Sequence, residues 1–249
     1  MNTVAICVSY GRRELGELFT LWLKQTAAVP LFVFLDGVDV PVSAPDPITW
    51  TRSPKYGARN DSIGALRAAS VAAARHTFDL QPTDAVLMLD DDDYYSPTHA
   101  ERTIAALEAS PHGWVGAQRI GYQWRPDQLP PELVTSGGYG PGQHACWGMR
   151  LDVYDAAGGY DRDDPIEDVR LADRIGWGKC TQHPYLTHVR RQFPTGTLSA
   201  QKSLAGKPYD RDELRRLRPP TPERIEPAWR PELGELEIWC RTNEDPSDV

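Results

Sequence analysis

The chain is predicted to be an α/β protein with a mainly parallel central sheet and helices on both faces. Short apolar runs alternate with stretches of helical spacing through the first half of the 249 residues. Each run is apolar at nearly every position, as expected of a strand buried on both faces. The runs also end abruptly in polar residues: Ser9-Tyr10, Asp36-Gly37 and Asp90 to Asp93. Ligands of parallel sheets gather at the carboxyl ends of the strands, so these three ends are expected to share one cleft.

Val4 to Val8 is read as the first strand, Glu14 to Gln25 as a helix, and Leu31 to Leu35 as the second strand. Ile48 to Trp50 is a short third strand after a loop rich in proline. Asp61 to Ala74 reads as a helix that turns Ile63, Leu66 and Val71 inward. Ala85 to Leu89 is a strand that delivers Asp90 to Asp93. Ser96 is the expected cap of the next helix, with Pro97 at its first position and Ala100, Ile104 and Leu107 at helical spacing. Trp114 to Ala117 is a further strand.

The glycine-rich stretch Ser136 to Gly142 has two readings that both stay open, a plain connector and a lid over substrate. Asp164-Pro165-Ile166-Glu167 reads as a helix start, with Asp164 as cap and Glu167 reaching back in a capping box. Val169, Ala172 and Ile175 would then pack inward.

At 40% hydrophobic and 25% charged residues, composition is that of a globular protein able to bury a core as one domain. No apolar stretch reaches the ~20 residues needed to span a bilayer. The start lacks a basic segment followed by an apolar run, so a cytoplasmic location is expected. Cys7, Cys146, Cys180 and Cys240 lack metal-ligand or disulfide-framework spacing and are expected to be reduced. A net charge of −8 argues against indiscriminate binding to nucleic acid.

Residues 1–202 are expected to form the main domain and 203–249 a Pro/Arg-rich extension, with Leu236 to Trp239 docking on the body. From Lys202 to Arg230 there are eight Lys/Arg against five Asp/Glu. That local excess permits a nucleic-acid contact; a solvated, salt-bridged extension is the plain alternative.

Four adjacent carboxylates oppose one another's ionisation unless a cation compensates them. A hard divalent ion with oxygen ligands, Mn²⁺ or Mg²⁺, is the expected partner, shared with a phosphate-bearing substrate.

Taken in order, these fragments resemble a family 2 glycosyltransferase of the GT-A (nucleotide-diphospho-sugar transferase) fold, over roughly residues 4 to 192. Val8-Ser9-Tyr10-Gly11-Arg12 resembles the family's opening strand and turn, with Gly11 in place of the usual asparagine. Leu35-Asp36-Gly37 resembles the aspartate that holds the base. Ala58-Arg59-Asn60 resembles the segment near the donor phosphates. Leu89 to Asp93 followed by Pro97 resembles the leucine–Asp–x–Asp–Asp pattern. Gly158-Gly159-Tyr160-Asp161, then Glu167-Asp168, resembles the glycine–glycine–aromatic–Asp and Glu–Asp elements, and His188 sits where a metal-binding histidine often follows.

The resemblance implies transfer of a sugar, with inversion, from a nucleoside diphosphate sugar (a UDP-sugar favoured) to an acceptor hydroxyl. It implies that Asp92 ligates the metal and that Asp90 contacts ribose or a metal-bound water. Asp91 and Asp93 would point away or bond to backbone, and His188 would complete the metal shell. Ser9, Tyr10 and Asp36 would hold the base, with Arg59 near the diphosphate. Asp168 would take the acceptor's proton, with Glu167 as the alternative base. The acceptor stays open among glycan, protein and hydroxymethylated DNA base. Two other readings also stay open: a non-catalytic nucleotide- or carbohydrate-binding protein, and a nucleotidyltransferase. Against the latter, the turn after the first strand has two arginines but a single glycine.

Overall fold

A computed structural model describes residues 1–36, 41–53, 63–123, 129–135, 143–162, 166–191 and 224–245. Its centre is a seven-stranded sheet in the order β10-β6-β9-β4-β1-β2-β3. The strands are β1 (Thr3–Ser9), β2 (Leu31–Asp36), β3 (Ile48–Ser53), β4 (Ala85–Asp90), β6 (Trp114–Ala117), β9 (Gly148–Arg150) and β10 (Thr181–His183). All pairings in this sheet are parallel except those of β9, which runs antiparallel between β4 and β6. The mainly parallel sheet is therefore as predicted. β9 and β10 were not foreseen, because three residues each, one of them polar throughout, do not register as an apolar run.

Both faces are covered, and the sequence alternates between them residue by residue. Val4, Ile6, Phe32, Phe34, Val86 and Met88 pack on one side, against α2 (Ile63–Phe78), α4 (Leu151–Ala156) and α5 (Glu167–Ile175). Ala5, Cys7, Leu31, Val33, Leu87 and Leu89 pack on the other, against α1 (Glu14–Trp22) and α3 (His99–Ala109). The helices differ from expectation mainly at their ends. α1 stops three residues short of Gln25, and α3 is preceded by Thr98 rather than capped by Ser96. All four cysteines are free thiols.

A second, four-stranded sheet lies outside what periodicity revealed. It comprises β5 (Tyr94–Tyr95), β7 (Arg119–Gln123), β8 (Glu132–Thr135) and β11 (His188–Arg191), in the order β5-β11-β7-β8. Its strands are two to five residues long, and β5 begins directly beyond the acid run. This sheet therefore starts, through β5, just beyond the carboxyl end of β4.

The described part of the C-terminal extension lies against the body. Ile225 bonds to Pro41 and Ser43 backbone, and the Ala228 N–H donates to the Gly16 carbonyl at 2.9 Å. Helix α6 (Pro231–Asn243) then buries Leu233, Leu236 and Cys240 against Leu21, Tyr94 and Val189. Among the described residues no helix is long and apolar enough to cross a membrane.

Candidate active site

Parallel register brings the polar strand ends level. Ser9 of β1 lies beside Leu35 of β2, and Val8 beside Asp90 of β4. With β1 between them, Asp36 and Asp90 are two strand spacings apart and offset by two residues along the strands, roughly 12 Å in all. Both stand on the rim where the first turn begins. That turn uses Gly11 at φ 74°, with its N–H donating to Ser9 Oγ at 3.0 Å. Glycine enters this left-handed region without steric cost, which suits it to this turn.

Each aspartate of the acid run has a different partner. Asp91 Oδ2 accepts from Ser9 Oγ at 2.5 Å. Arg12 Nη1 lies 2.5 Å from Asp92 Oδ2 and 3.6 Å from Asp91 Oδ1. Burial pushes the carboxyls of Asp91 and Asp92 up, and Arg12 pulls both back. Asp93 accepts the Arg191 N–H at 2.9 Å and shares a 2.8 Å hydrogen bond with His188 Nε2. The Asp90 N–H donates to Tyr95 Oη at 2.8 Å, so the start of the acid run is tied to the second sheet. The Asp90 carboxyl is the most open of the four, with 43% of its side chain exposed.

Several expectations change on this geometry. Asp91 does not point away from the turn; it is joined to Ser9 and Arg12. Ser9 is wholly buried, with its hydroxyl engaged inside the protein, and so is placed to hold Asp91 rather than a base ring. His188 is also wholly buried, and a metal could take its Nε2 only if the bond to Asp93 opened. Asp36 is buried at the end of β2, and Tyr10 is half-buried against the core. Arg59, the stretch Ser136 to Gly142, Asp164 and Pro165 lie outside the described residues.

The Glu167-Asp168 pair opens α5. Glu167 does not act in a capping box: the residue before the helix is Ile166, and the helix start has no side-chain cap. Instead Glu167 is 1% exposed on the inward stripe with Leu171, Ala172 and Ile175, while Val169, expected inward, is exposed. The spacing carried this signal, since Glu167 stands four residues before Leu171 and eight before Ile175. Burial pushes the Glu167 carboxyl up to about 7, against the pull of Arg67. Asp168 is half-buried, and its Oδ1 accepts the Val169 N–H at 2.8 Å.

Arg67 is the residue that sequence reasoning missed. Its Nη1 pairs with Glu167 Oε1, and its Nη2 lies 3.4 Å from Asp90 Oδ1. It sits on α2 four residues after Ile63 and four before Val71, so a charge on that inward stripe was the available signal. Nearby, His144 Nε2 and Tyr160 Oη share a 2.6 Å hydrogen bond. The site thus joins the end of β4 to the start of α5 through one guanidinium.

No protein-family model matches the chain, and no curated protein sequence matches it. Among solved structures it is similar to S. aureus TarS, with a TM-score of 0.51 at 10% identity over 87% of this chain and 42% of that one. The fold is GT-A. A second match, TarS 1-349 in complex with UDP-GlcNAc, has a TM-score of 0.51 at 10% identity. It covers 77% of this chain and 59% of that one. This GT-A chain therefore spans less than two thirds of either TarS chain. At such identities the likeness concerns the fold alone.

Proposed function

We propose that this GT-A protein is an inverting, divalent-metal-dependent glycosyltransferase that moves a sugar from a nucleoside diphosphate sugar, with UDP-sugars favoured, to an acceptor hydroxyl. The observation that carries this reading is the joining of the acid run to the Glu167-Asp168 pair. Arg67 touches both Asp90 and Glu167, which supports a reading in which one carboxylate serves the donor and the other the acceptor side.

The carboxylates suit a hard cation in part. Among the described residues no three His, Cys, Asp or Glu side chains are grouped to cage a metal. A small divalent ion that shares its shell with substrate phosphates needs only one or two carboxylates. Asp90, the most exposed of the run, and Asp92, with one oxygen on Arg12, would hold it. Bound there, Mn²⁺ or Mg²⁺ would offset the charge that builds on the departing diphosphate.

The remaining roles fall to the chain's own residues. Asp36 accepts from the imide N–H of the base, Tyr10 lies beside the ring, and Arg59 lies near the diphosphate. Ser9 holds Asp91 and thereby the turn beneath the donor. Asp168, at the exposed edge of α5, takes the proton from the attacking acceptor hydroxyl. Glu167 is the less suited base because Arg67 already engages it. The acceptor attacks the face opposite the leaving diphosphate, which gives inversion.

The deciding experiment incubates the protein with a panel of nucleoside diphosphate sugars and Mn²⁺ while diphosphate release is followed. Slow release from one donor, lost on chelation and in Asp90→Asn, is expected. Saturable nucleotide binding without release from any donor would favour a non-catalytic binder.

A further inference from the structure

The guanidinium of Arg67 is mostly buried, with 12% of the side chain exposed, between two carboxylates from elements 77 residues apart in sequence (167 − 90). Arginine's planar fork can offer separate nitrogens to two acceptors at fixed geometry, which a lysine ammonium cannot reproduce. Gly64, one turn earlier on α2, allows the approach. A Cβ there would collide with the Asp161 carbonyl and come within 2.9 Å of Glu167 Cβ. The two helices are therefore pressed together at the point where Arg67 reaches across.

We propose that Arg67 is a positioning residue that couples donor capture at Asp90 to alignment of the Glu167-Asp168 pair. The inference rests on the function proposed above. The half of the fork at Asp90 meets the donor end of the cleft. The other half fixes Glu167, and with it the first turn of α5 that presents Asp168. A donor that draws on Asp90 then acts on α5 through a rigid guanidinium rather than through solvent. Glu167 is held as a strut, and Asp168 beside it is left as the group that meets the acceptor.

The test uses full-length Arg67→Met and Arg67→Lys, with UDP binding measured calorimetrically in Mn²⁺, donor-sugar hydrolysis kinetics, and thermal unfolding. Arg67→Met is expected to weaken UDP binding and to lower kcat, each by roughly 10–100-fold, the range for residues that orient ligating groups. Arg67→Lys, able to serve one carboxylate well, is expected to recover UDP affinity while kcat stays at least about tenfold low. That split between binding and turnover is not what a purely structural residue gives.

Two results overturn the proposal: wild-type kcat and KM in both variants, or losses in Arg67→Met that track its unfolded fraction and vanish in Arg67→Lys. Should Arg67→Met not fold, Arg67→Lys alone decides by the same split. A wild-type protein that binds UDP and hydrolyses donor while the variants behave normally sinks this inference only. A wild-type protein that binds no nucleoside diphosphate sinks the functional reading as well.

Discussion

Arg12 Nη1 lies 2.5 Å from Asp92 Oδ2, so a side chain of the first turn neutralises an acid at the end of a strand 80 residues away. Asp91 lies 3.6 Å from the same nitrogen, and Asp93 is bonded separately to His188. The acid run is thus compensated locally, and only Asp90 opens substantially to solvent.

Removing that cation should be costly. Arg12→Gln leaves two largely buried carboxyls without a counter-charge and is expected to lose about 3 kcal/mol at pH 7, the low end for a broken buried pair. Mn²⁺ should restore part of the loss in the variant and little in the wild type. Urea unfolding with and without Mn²⁺ measures both; equal midpoints for variant and wild type would remove Arg12 from this role.

Asp168→Asn should leave UDP affinity unchanged and slow donor turnover by roughly 10²–10⁴-fold, the scale of a lost general base. Near-normal turnover would transfer the role to Glu167 or to solvent.

Glu167 should leave a mark on the pH dependence of stability. Its folded pKa of about 7 lies above the ordinary value of 4.5. Between these pH values the native protein keeps a proton that the unfolded chain has released, so this group's contribution falls as pH rises through that window. The drop is up to about 3 kcal/mol and is complete above pH ~7. Glu167→Gln removes it. Chemical unfolding of both proteins at pH 5 and pH 7.5 should therefore show a larger difference, wild type minus variant, at the lower pH; a constant difference would refute the assignment.

The docked C-terminal helix should contribute to the stability of the whole body. Leu236 is fully buried against the second sheet and α1, and Leu236→Ala is expected to cost about 2–5 kcal/mol. A midpoint shift in a single unfolding transition tests this. An unchanged main transition with early release of the C-terminal segment would mean that the helix only decorates the surface.

The sequence by itself determined β1, β2 and β4, their polar ends, and the two-faced core, because apolar periodicity is written within a few consecutive residues. It also marked the acid run and the Glu167-Asp168 pair. It missed the second sheet, β9 and β10, whose strands are too short to show a pattern. Only the tertiary structure decided which partner answers which acid. Arg12 to Asp92 spans 80 residues, His188 to Asp93 95, and Arg67 to Glu167 100. Side-chain pairing acts through space, and no local spacing records which distant side chain a carboxylate will meet once the sheet has closed.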